Sequence, residues 1–357
     1  MRYGYWLPVF GGWLRNVDDE RMDASWSYVK RLAQRSEIIG YDLTLVAELL
    51  LNDIKGIEAP SLDAWSTAAA LAAVTDRLEL MVAVRPSFHP PAIFAKQAAN
   101  IDNIANGRLS LNVVSAWWKD EARRYGASFD AHDDRYARTA EWLDVVSGAW
   151  KEPLFNYEGA YYRVDDLILE PKPVARPRPT IYAGGESEKA KTLIARSCDA
   201  YVMHGDPPER IAEKVSDMRE RRERASESLG IELRPLTFGV AAYSVVRSTE
   251  SESRREIARI TNVTPGSPGY RNYQDWIGNT QLEQRISLED YSVSNRGLRA
   301  GLTGTAEQVA DQVRAFQNAG VNLLLLQSSP QLEEMERFAA EVRPLVPGIT
   351  LPRRDAA

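Results

Sequence analysis

Two glycines and a serine separate an apolar segment from a helical one in TIYAGGESEKAKTLIA, residues 180–195. The first turn of a helix offers unpaired backbone N–H groups and about half a positive charge, which together favour an anion. Gly184 and Gly185 would let a phosphate approach the backbone, and Ser187 can add a hydroxyl. We expect the Glu186 backbone N–H to serve as well, while its carboxylate, which would repel a phosphate, turns outward. The same pattern also fits a tight turn with a serine cap.

An arginine and a tyrosine stand side by side in HDDRYAR, where a helix is expected to begin. The guanidinium of Arg135 and the hydroxyl of Tyr136 can both donate to a phosphate, the former through a charge-assisted hydrogen bond. The alternative is a surface arginine that pairs with Asp133 or Asp134.

Further polar and aromatic residues follow predicted strands. Asn112 and Ser115 lie near the end of SLNVVS, and a buried amide such as Asn112 needs a hydrogen-bond partner. Trp117 and Trp118 come next, and we expect one to face a pocket while the other packs, since aromatic walls exclude water.

The elements that must position these residues alternate between strands and helices. The strand candidates are residues 2–9, 41–47, 77–84, 108–115, 180–183, 198–205, 234–248 and 321–327. Alternating βα units predict a parallel sheet, and eight of them favour an α/β fold of the (β/α)8 TIM barrel type over an open doubly wound sheet. Ser61 is a plausible N-cap for the second helix, and Thr305 with Gln308 predicts a capping box at a late helix.

We expect a single domain over residues 1–357, with insertions at about 114–135, 151–179 and 263–302. The second of these reads as a small hairpin followed by a proline-rich crossing. The other two follow strands four and seven, and the carboxyl ends of barrel strands are where active sites lie.

The composition excludes several functional classes. The chain has 44 basic and 50 acidic residues and a net charge of −6, which argues against nucleic-acid binding. It shows no signal peptide and no apolar run long enough to span a bilayer, so we expect a cytoplasmic protein without membrane contact. The three histidines lack metal-ligand spacing, and no HExxH, CxxC, GxSxG or P-loop occurs, so we expect no metal site.

Several of these stretches resemble the bacterial luciferase-like flavin monooxygenases, over nearly the whole chain. The similarity is carried by residues 72–126, HDDRYARTAEWL, the IYAGGESEKA turn, and GLTGTAEQVADQVRAF with GVNLLLL near the end. The first two point to the branch that holds the FMNH2-dependent alkanesulfonate, dimethylsulfone and pyrimidine monooxygenases. The surroundings of WWKDEA and SNRGLR are most similar to the dimethylsulfone type.

This resemblance implies a TIM barrel that receives reduced FMN from a separate NAD(P)H-dependent reductase and uses it with O2 to oxidise a small molecule. It implies that the phosphate occupies the glycine turn beside Arg135 and Tyr136, and that Asn112 meets the pyrimidine edge of the flavin. The full set of implied flavin contacts is Asn112, Ser115, Glu121, Arg135, Tyr136, Gly185, Glu186, Ser187, Glu48 and Leu49. The position of Glu121 in the sequence is equally typical of a solvent-exposed acidic residue in a loop.

Strand seven departs from the sulfonate-oxidising relatives. Those enzymes have an arginine and a histidine in a pattern like IRLH, where this chain has Ala241 and Tyr243 in VAAY. Losing the guanidinium removes the natural bidentate partner of a sulfonate, which favours a smaller neutral substrate. Tyr243 can donate one hydrogen bond to a sulfone oxygen, or can simply pack in the barrel.

The remaining substrate-site candidates lie in loops. The resemblance implies that Arg299, or else Arg296, closes over the site. Trp117 and His89 are candidates for the substrate cavity, with Trp6 and Trp13 as an opposite wall.

We expect a two-component FMNH2-dependent monooxygenase, most consistent with oxidation of dimethylsulfone to methanesulfinate, in a homodimer or homotetramer. The alternatives are the same chemistry on an alkanesulfonate or another small neutral substrate, a deazaflavin-dependent dehydrogenase, or a flavin-binding protein without turnover.

Overall fold

Eight parallel strands close into a barrel in the computed structural model of the chain. The structure describes residues 1–15, 17, 20–115, 118–262, 266, 273, 277, 287, 290, 293 and 297–346, apart from the side chain of residue 132. The barrel strands are β1 (Arg2–Leu7), β2 (Leu43–Val46), β3 (Glu79–Val84), β4 (Leu109–Val113), β7 (Thr180–Ala183), β8 (Ala200–Met203), β9 (Thr237–Tyr243) and β12 (Leu323–Gln327).

Helices follow most of these strands and cover the barrel. The helices among the described residues are α1 (Trp26–Ile38), α2 (Ala64–Ala72), α3 (Pro91–Ile104), α4 (Lys119–Arg124), α5 (His132–Lys151), α6 (Glu188–Ser197), α7 (Pro208–Leu229), α8 (Glu250–Ile260), α9 (Ala306–Asn318) and α10 (Gln331–Arg337).

The barrel closes where β1 pairs with β12, with Arg2 opposite Leu323 and Tyr5 opposite Leu326. Every residue of β2, β4 and β12 is buried, as expected for strands covered by side chains inside the barrel and by helices outside it. Closure confirms the TIM barrel and excludes the open doubly wound sheet.

The insertions place additional structure around the barrel. Residues 151–179 contain an antiparallel hairpin of β5 (Phe155–Glu158) and β6 (Arg163–Leu167), as the sequence predicted. The insertion after β4 contains α4. Two short strands, β10 (Val245–Val246) and β11 (Thr303–Gly304), pair with each other beyond β9.

Helix starts agree with the sequence at one predicted site and differ at another. Thr305 and Gln308 form the predicted capping box at α9. Ser61 was predicted to cap α2, and this is wrong: Asp63 is the N-cap and accepts from the Ser66 N–H, while the Ser61 hydroxyl donates to the Leu49 carbonyl. Both residue types satisfy an N-cap, so the pattern did not distinguish positions two residues apart.

No helix within the described ranges is long and apolar enough to cross a membrane. Among those same residues, no cluster of three or more histidine, cysteine, aspartate or glutamate side chains is placed to hold a metal ion.

Candidate active site

The glycine turn after β7 leads directly into α6. Ser187 is the N-cap, and its hydroxyl accepts from the Ala190 N–H at 3.3 Å. The first backbone bond of the helix runs from the Lys191 N–H to the Ser187 carbonyl. The N–H groups of residues 188 and 189 precede that bond and have no partner inside the helix, which is the arrangement that attracts an anion.

Gly185 has a backbone conformation that disfavours a side chain. Its φ is +150°, and a Cβ at this position would lie 2.6 Å from the Ala190 Cβ and 3.4 Å from the Tyr136 hydroxyl. The Tyr201 hydroxyl donates to the Gly185 carbonyl at 2.9 Å and holds the turn. The Gly185 backbone therefore approaches the Tyr136 hydroxyl more closely than a residue with a side chain would allow.

Three hydroxyl groups meet beside the turn. Tyr136, in the first turns of α5, hydrogen-bonds with the hydroxyls of Ser187 and Ser115. Burial raises the pKa of Tyr136 above its ordinary value, although these hydroxyls and the Arg135 charge oppose the rise. The phenol therefore remains protonated near neutral pH and can donate a hydrogen bond.

Arg135 lies beside these hydroxyls with part of its guanidinium unused. Its Nη1 donates to the Asp130 carbonyl at 3.1 Å, and its guanidinium lies 4.6 Å from the centre of the Phe129 ring. Its Nε is buried and has no hydrogen-bond partner among the described residues. Burial lowers the pKa of Arg135, opposed by Tyr136 and Asp130. A small cleft opens here and is lined by Pro86, Ser87, Ser115, Asp130, Arg135, Arg138 and Thr139.

Glu186 differs from the expectation in one respect. Its side chain does not turn out to solvent; it is buried, and its Oε1 accepts from Lys214 Nζ at 3.1 Å. An ion pair with a buried lysine explains the difference, because the carboxylate is compensated inside the protein rather than by water.

Asn112 lies in β4 at the carboxyl end of the barrel, between Ala83 of β3 and Tyr182 of β7. It is 9% exposed, and no hydrogen bond among the described residues uses its side-chain amide. Trp6, in β1, has a buried indole N–H that likewise lacks a described partner, and it packs edge-on against Trp13 at 6.3 Å. The Asn112 amide and the Trp6 indole N–H can therefore form hydrogen bonds with a ligand at the barrel mouth.

A second cluster of charges lies where β2 and β3 end. The Arg85 guanidinium pairs with Glu121 and lies 3.5 Å from Glu48, and all three residues are buried. Glu121 also accepts from the N–H groups of Leu50 and Leu51, at 2.6 and 3.3 Å. The structure thus uses Glu48 and Glu121 to join the loop after β2 to the insertion after β4, and Leu49 lies partly buried in that loop.

His89 contacts this cluster from one side. Its Nε2 lies 2.6 Å from Glu48 Oε1. Its ring packs edge-on near Trp65 and Phe94, which belong to α2 and α3, and Trp142 of α5 donates to its carbonyl. The imidazole ring therefore packs against side chains of α2 and α3. A role for His89 in the substrate cavity stays a prediction.

Tyr243 ends β9 opposite Gln327 and is 1% exposed. Burial raises its pKa well above the ordinary value, and the charges of Glu20, Glu256 and Glu334 add to the rise. The phenol is neutral at physiological pH and retains its proton as a donor.

Arg299 is held by two carboxylates. It donates to both oxygens of Asp290 at 3.0 and 2.6 Å, and its Nη1 lies 3.8 Å from Asp206. Hydrogen bonding to Asp290 raises its pKa. Arg296 and Trp117 lie outside the described residues, whereas Trp118 is buried at the start of α4.

Sequence reasoning missed Arg85 and Lys214. Arg85 directly follows a buried strand, which is the position where barrel residues reach an active site. Lys214 shares a face of α7 with Ile211, Val215 and Met218, and a lysine on the apolar face of a charged helix is a recognisable signal.

Replacing Gly185 by alanine is expected to damage this turn. The new methyl would meet Ala190 at 2.6 Å in a conformation that alanine rarely adopts, so we expect a loss of stability of about 2 kcal/mol or more together with weaker flavin binding. Gly126→Ala is the control: its φ is also positive at +69°, but nothing lies within 4 Å, so we expect about 1 kcal/mol and unchanged binding. Thermal unfolding and flavin titration measure both, and equal effects would contradict the prediction.

Comparison with known proteins supports the resemblance. The luciferase-like monooxygenase family model matches residues 1–323. The FMNH2-dependent dimethylsulfone monooxygenase of Pseudomonas putida is 31% identical across 100% of this chain and 98% of its own length, and that of Pseudomonas fluorescens is 31% identical across 97% and 94%. The EDTA monooxygenase of Chelativorans sp. BNC1 shares the fold, with a TM-score of 0.79 at 20% identity over 97% of this chain and 93% of its own. The chain belongs to the luciferase-like monooxygenase family.

Proposed function

We propose that this protein is a two-component FMNH2-dependent monooxygenase that oxidises a small organosulfur compound, with dimethylsulfone as its substrate. The relatives that match it from end to end carry that activity in their names. The observation that carries the cofactor assignment is the turn at Gly185, where a side chain would not fit and where the hydroxyls of Ser187 and Tyr136 meet. The unpartnered Nε of Arg135 adds a charged donor beside it.

These residues fit the phosphate of FMN. The α6 N-terminus, Ser187, Tyr136 and Arg135 would hold the phosphate through backbone, hydroxyl and guanidinium donors. Asn112, whose amide has no described partner, would bind the pyrimidine edge of the ring system. Bound FMNH2 supplies the reducing electrons with which O2 is activated.

The protein's own contribution is to place the reactants and keep water away. Trp6 and Trp13 provide an aromatic wall, which suits a small apolar substrate. Tyr243 would donate to a sulfone oxygen, since its buried phenol keeps its proton. The absence of an arginine at Ala241 favours a neutral sulfone over a sulfonate.

The reaction balances with one O2 and one reduced flavin. Dimethylsulfone, O2 and FMNH2 give methanesulfinic acid, formaldehyde, FMN and water, with one C–S bond broken and one oxygen atom delivered to the carbon. A separate NAD(P)H-dependent reductase would return FMN to FMNH2. We propose that the protein works in the cytoplasm as a homodimer or homotetramer.

Formaldehyde release tests the substrate. The purified protein, photoreduced FMN, O2 and dimethylsulfone are mixed, and we expect formaldehyde and methanesulfinate above a control without protein. Methanesulfonate and other small substrates are tried in parallel. No product from dimethylsulfone, with turnover of another compound in the panel, would contradict the substrate assignment; FMN binding without any O2-dependent product would favour a flavin-binding protein without turnover.

A further inference from the structure

A series of charged side chains, most of them buried, begins at the glycine turn. Lys214 Nζ lies 3.1 Å from Glu186 Oε1 and 2.7 Å from Asp206 Oδ2. None of these three side chains is more than 7% exposed. Asp206 is in turn 3.8 Å from Arg299 Nη1, and Arg299 is held by Asp290. The charges in this series alternate in sign, so each buried charge has a neighbour of opposite charge.

Lys214 reaches the turn from an unusual place on α7. Its neighbours on the same helix face, Ile211, Val215 and Met218, are buried apolar residues. A lysine can pack its stem along such a surface while its ammonium extends to a polar site. A buried ammonium is costly unless it is paired, so its position indicates that two carboxylates on neighbouring loops require it.

The position of Glu186 explains why. It lies between Gly185 and Ser187, the two residues that shape the proposed phosphate site. At an effective dielectric constant of about 20, two like unit charges repel by about 2 kcal/mol even when they are about 8 Å apart, so an uncompensated carboxylate in this turn would weaken phosphate binding about tenfold or more. The ammonium of Lys214, which Glu186 shares with Asp206, offsets that charge and ties the carboxylate to α7.

We propose that Lys214 is a positioning residue for the cofactor: by neutralising Glu186 it lets the turn accept the phosphate of FMN. This inference rests on the proposed function, because it presumes that a flavin phosphate occupies the turn. It assigns to α7 a part in cofactor selection that the sequence pattern did not reveal.

The test compares two flavins that differ only in the phosphate. Affinities for FMN and riboflavin are measured by fluorescence titration for the wild-type protein, Lys214→Met, Glu186→Gln and the double variant. We expect Lys214→Met to weaken FMN binding about tenfold while riboflavin changes less than about twofold. The double variant should recover part of the FMN affinity that Lys214→Met loses, because the Glu186 charge is then gone while Asp206 still lacks the ammonium.

Glu186→Gln keeps the test decisive even if Lys214→Met does not fold. It removes the negative charge and leaves the ammonium, so FMN binding should strengthen about threefold or more without a change for riboflavin. Lys191→Met is the matched control: the side chain of this lysine of α6 is 12% exposed, and it pairs with Asp217 at 3.5 Å and with Glu188 at 4.0 Å. It should change the ratio of the two affinities less than about twofold.

Two results would overturn the inference and leave the proposed function standing, provided that the wild-type protein prefers FMN to riboflavin. One is a Lys214→Met variant with the same ratio of FMN affinity to riboflavin affinity as wild type. The other is a double variant that recovers none of the FMN affinity lost in Lys214→Met. If Lys214→Met does not fold, an unchanged ratio in Glu186→Gln overturns it. Wild-type protein that fails to bind FMN would overturn the proposed function and this inference together.

Discussion

Arg85→Met is expected to destabilise the protein by about 3–5 kcal/mol. The substitution would leave the carboxylates of Glu48 and Glu121 buried without their shared cation. Removing one partner of a buried ion pair costs far more than the pair contributes, because the remaining charge is neither solvated nor compensated. Urea unfolding followed by tryptophan fluorescence measures the loss.

Arg123→Met is the matched control for Arg85. This arginine pairs with Asp120 on the surface of α4, where its side chain is 68% exposed. Exposed pairs contribute little, so the control should lose no more than about 0.5 kcal/mol. Adding Glu121→Gln to Arg85→Met should recover part of the loss. A loss below about 1 kcal/mol for Arg85→Met would show that the cluster is not what joins the two loops.

Arg135→Gln is expected to weaken FMN binding about 10- to 100-fold, since a hydrogen bond to a charged group contributes about 1.5–3 kcal/mol. The affinity for riboflavin, which lacks the phosphate, should change little. The ratio of the two dissociation constants, measured by fluorescence titration, isolates the phosphate contact from general damage to the site.

Arg138→Gln serves as the comparison for Arg135. Arg138 lies one helical turn further along α5 and lines the same cleft, but its guanidinium already pairs with Asp130, its Nε donating to Oδ2 at 2.6 Å. We expect this variant to affect FMN binding less than Arg135→Gln does. The reverse order would mean that Arg138, and not Arg135, contacts the phosphate.

The barrel could be predicted because its signals are local and repeated. The apolar runs that became β2, β3 and β12 indicate strands buried on both faces, and helical periods between them predict the crossovers. The position of Ser187 at the start of α6 was readable for the same reason, since a cap depends on residues within one turn of it.

The charge clusters could not be predicted in the same way. Arg85 meets Glu48 and Glu121, which are 37 and 36 positions away, and Lys214 meets Glu186 at a separation of 28. Such pairs depend on which loops the closed barrel brings together. The outward turn expected for Glu186 failed because nothing near it in sequence shows the lysine that arrives from α7.

A crystal structure of the protein with FMN bound tests the central claim most directly. The account predicts the phosphate within about 3 Å of the Ser187 hydroxyl and of an Arg135 nitrogen, with the ring system reaching Asn112 at the barrel mouth. Electron density that places the phosphate away from the Gly184–Ser187 turn, or the ring system outside the barrel mouth, would contradict it.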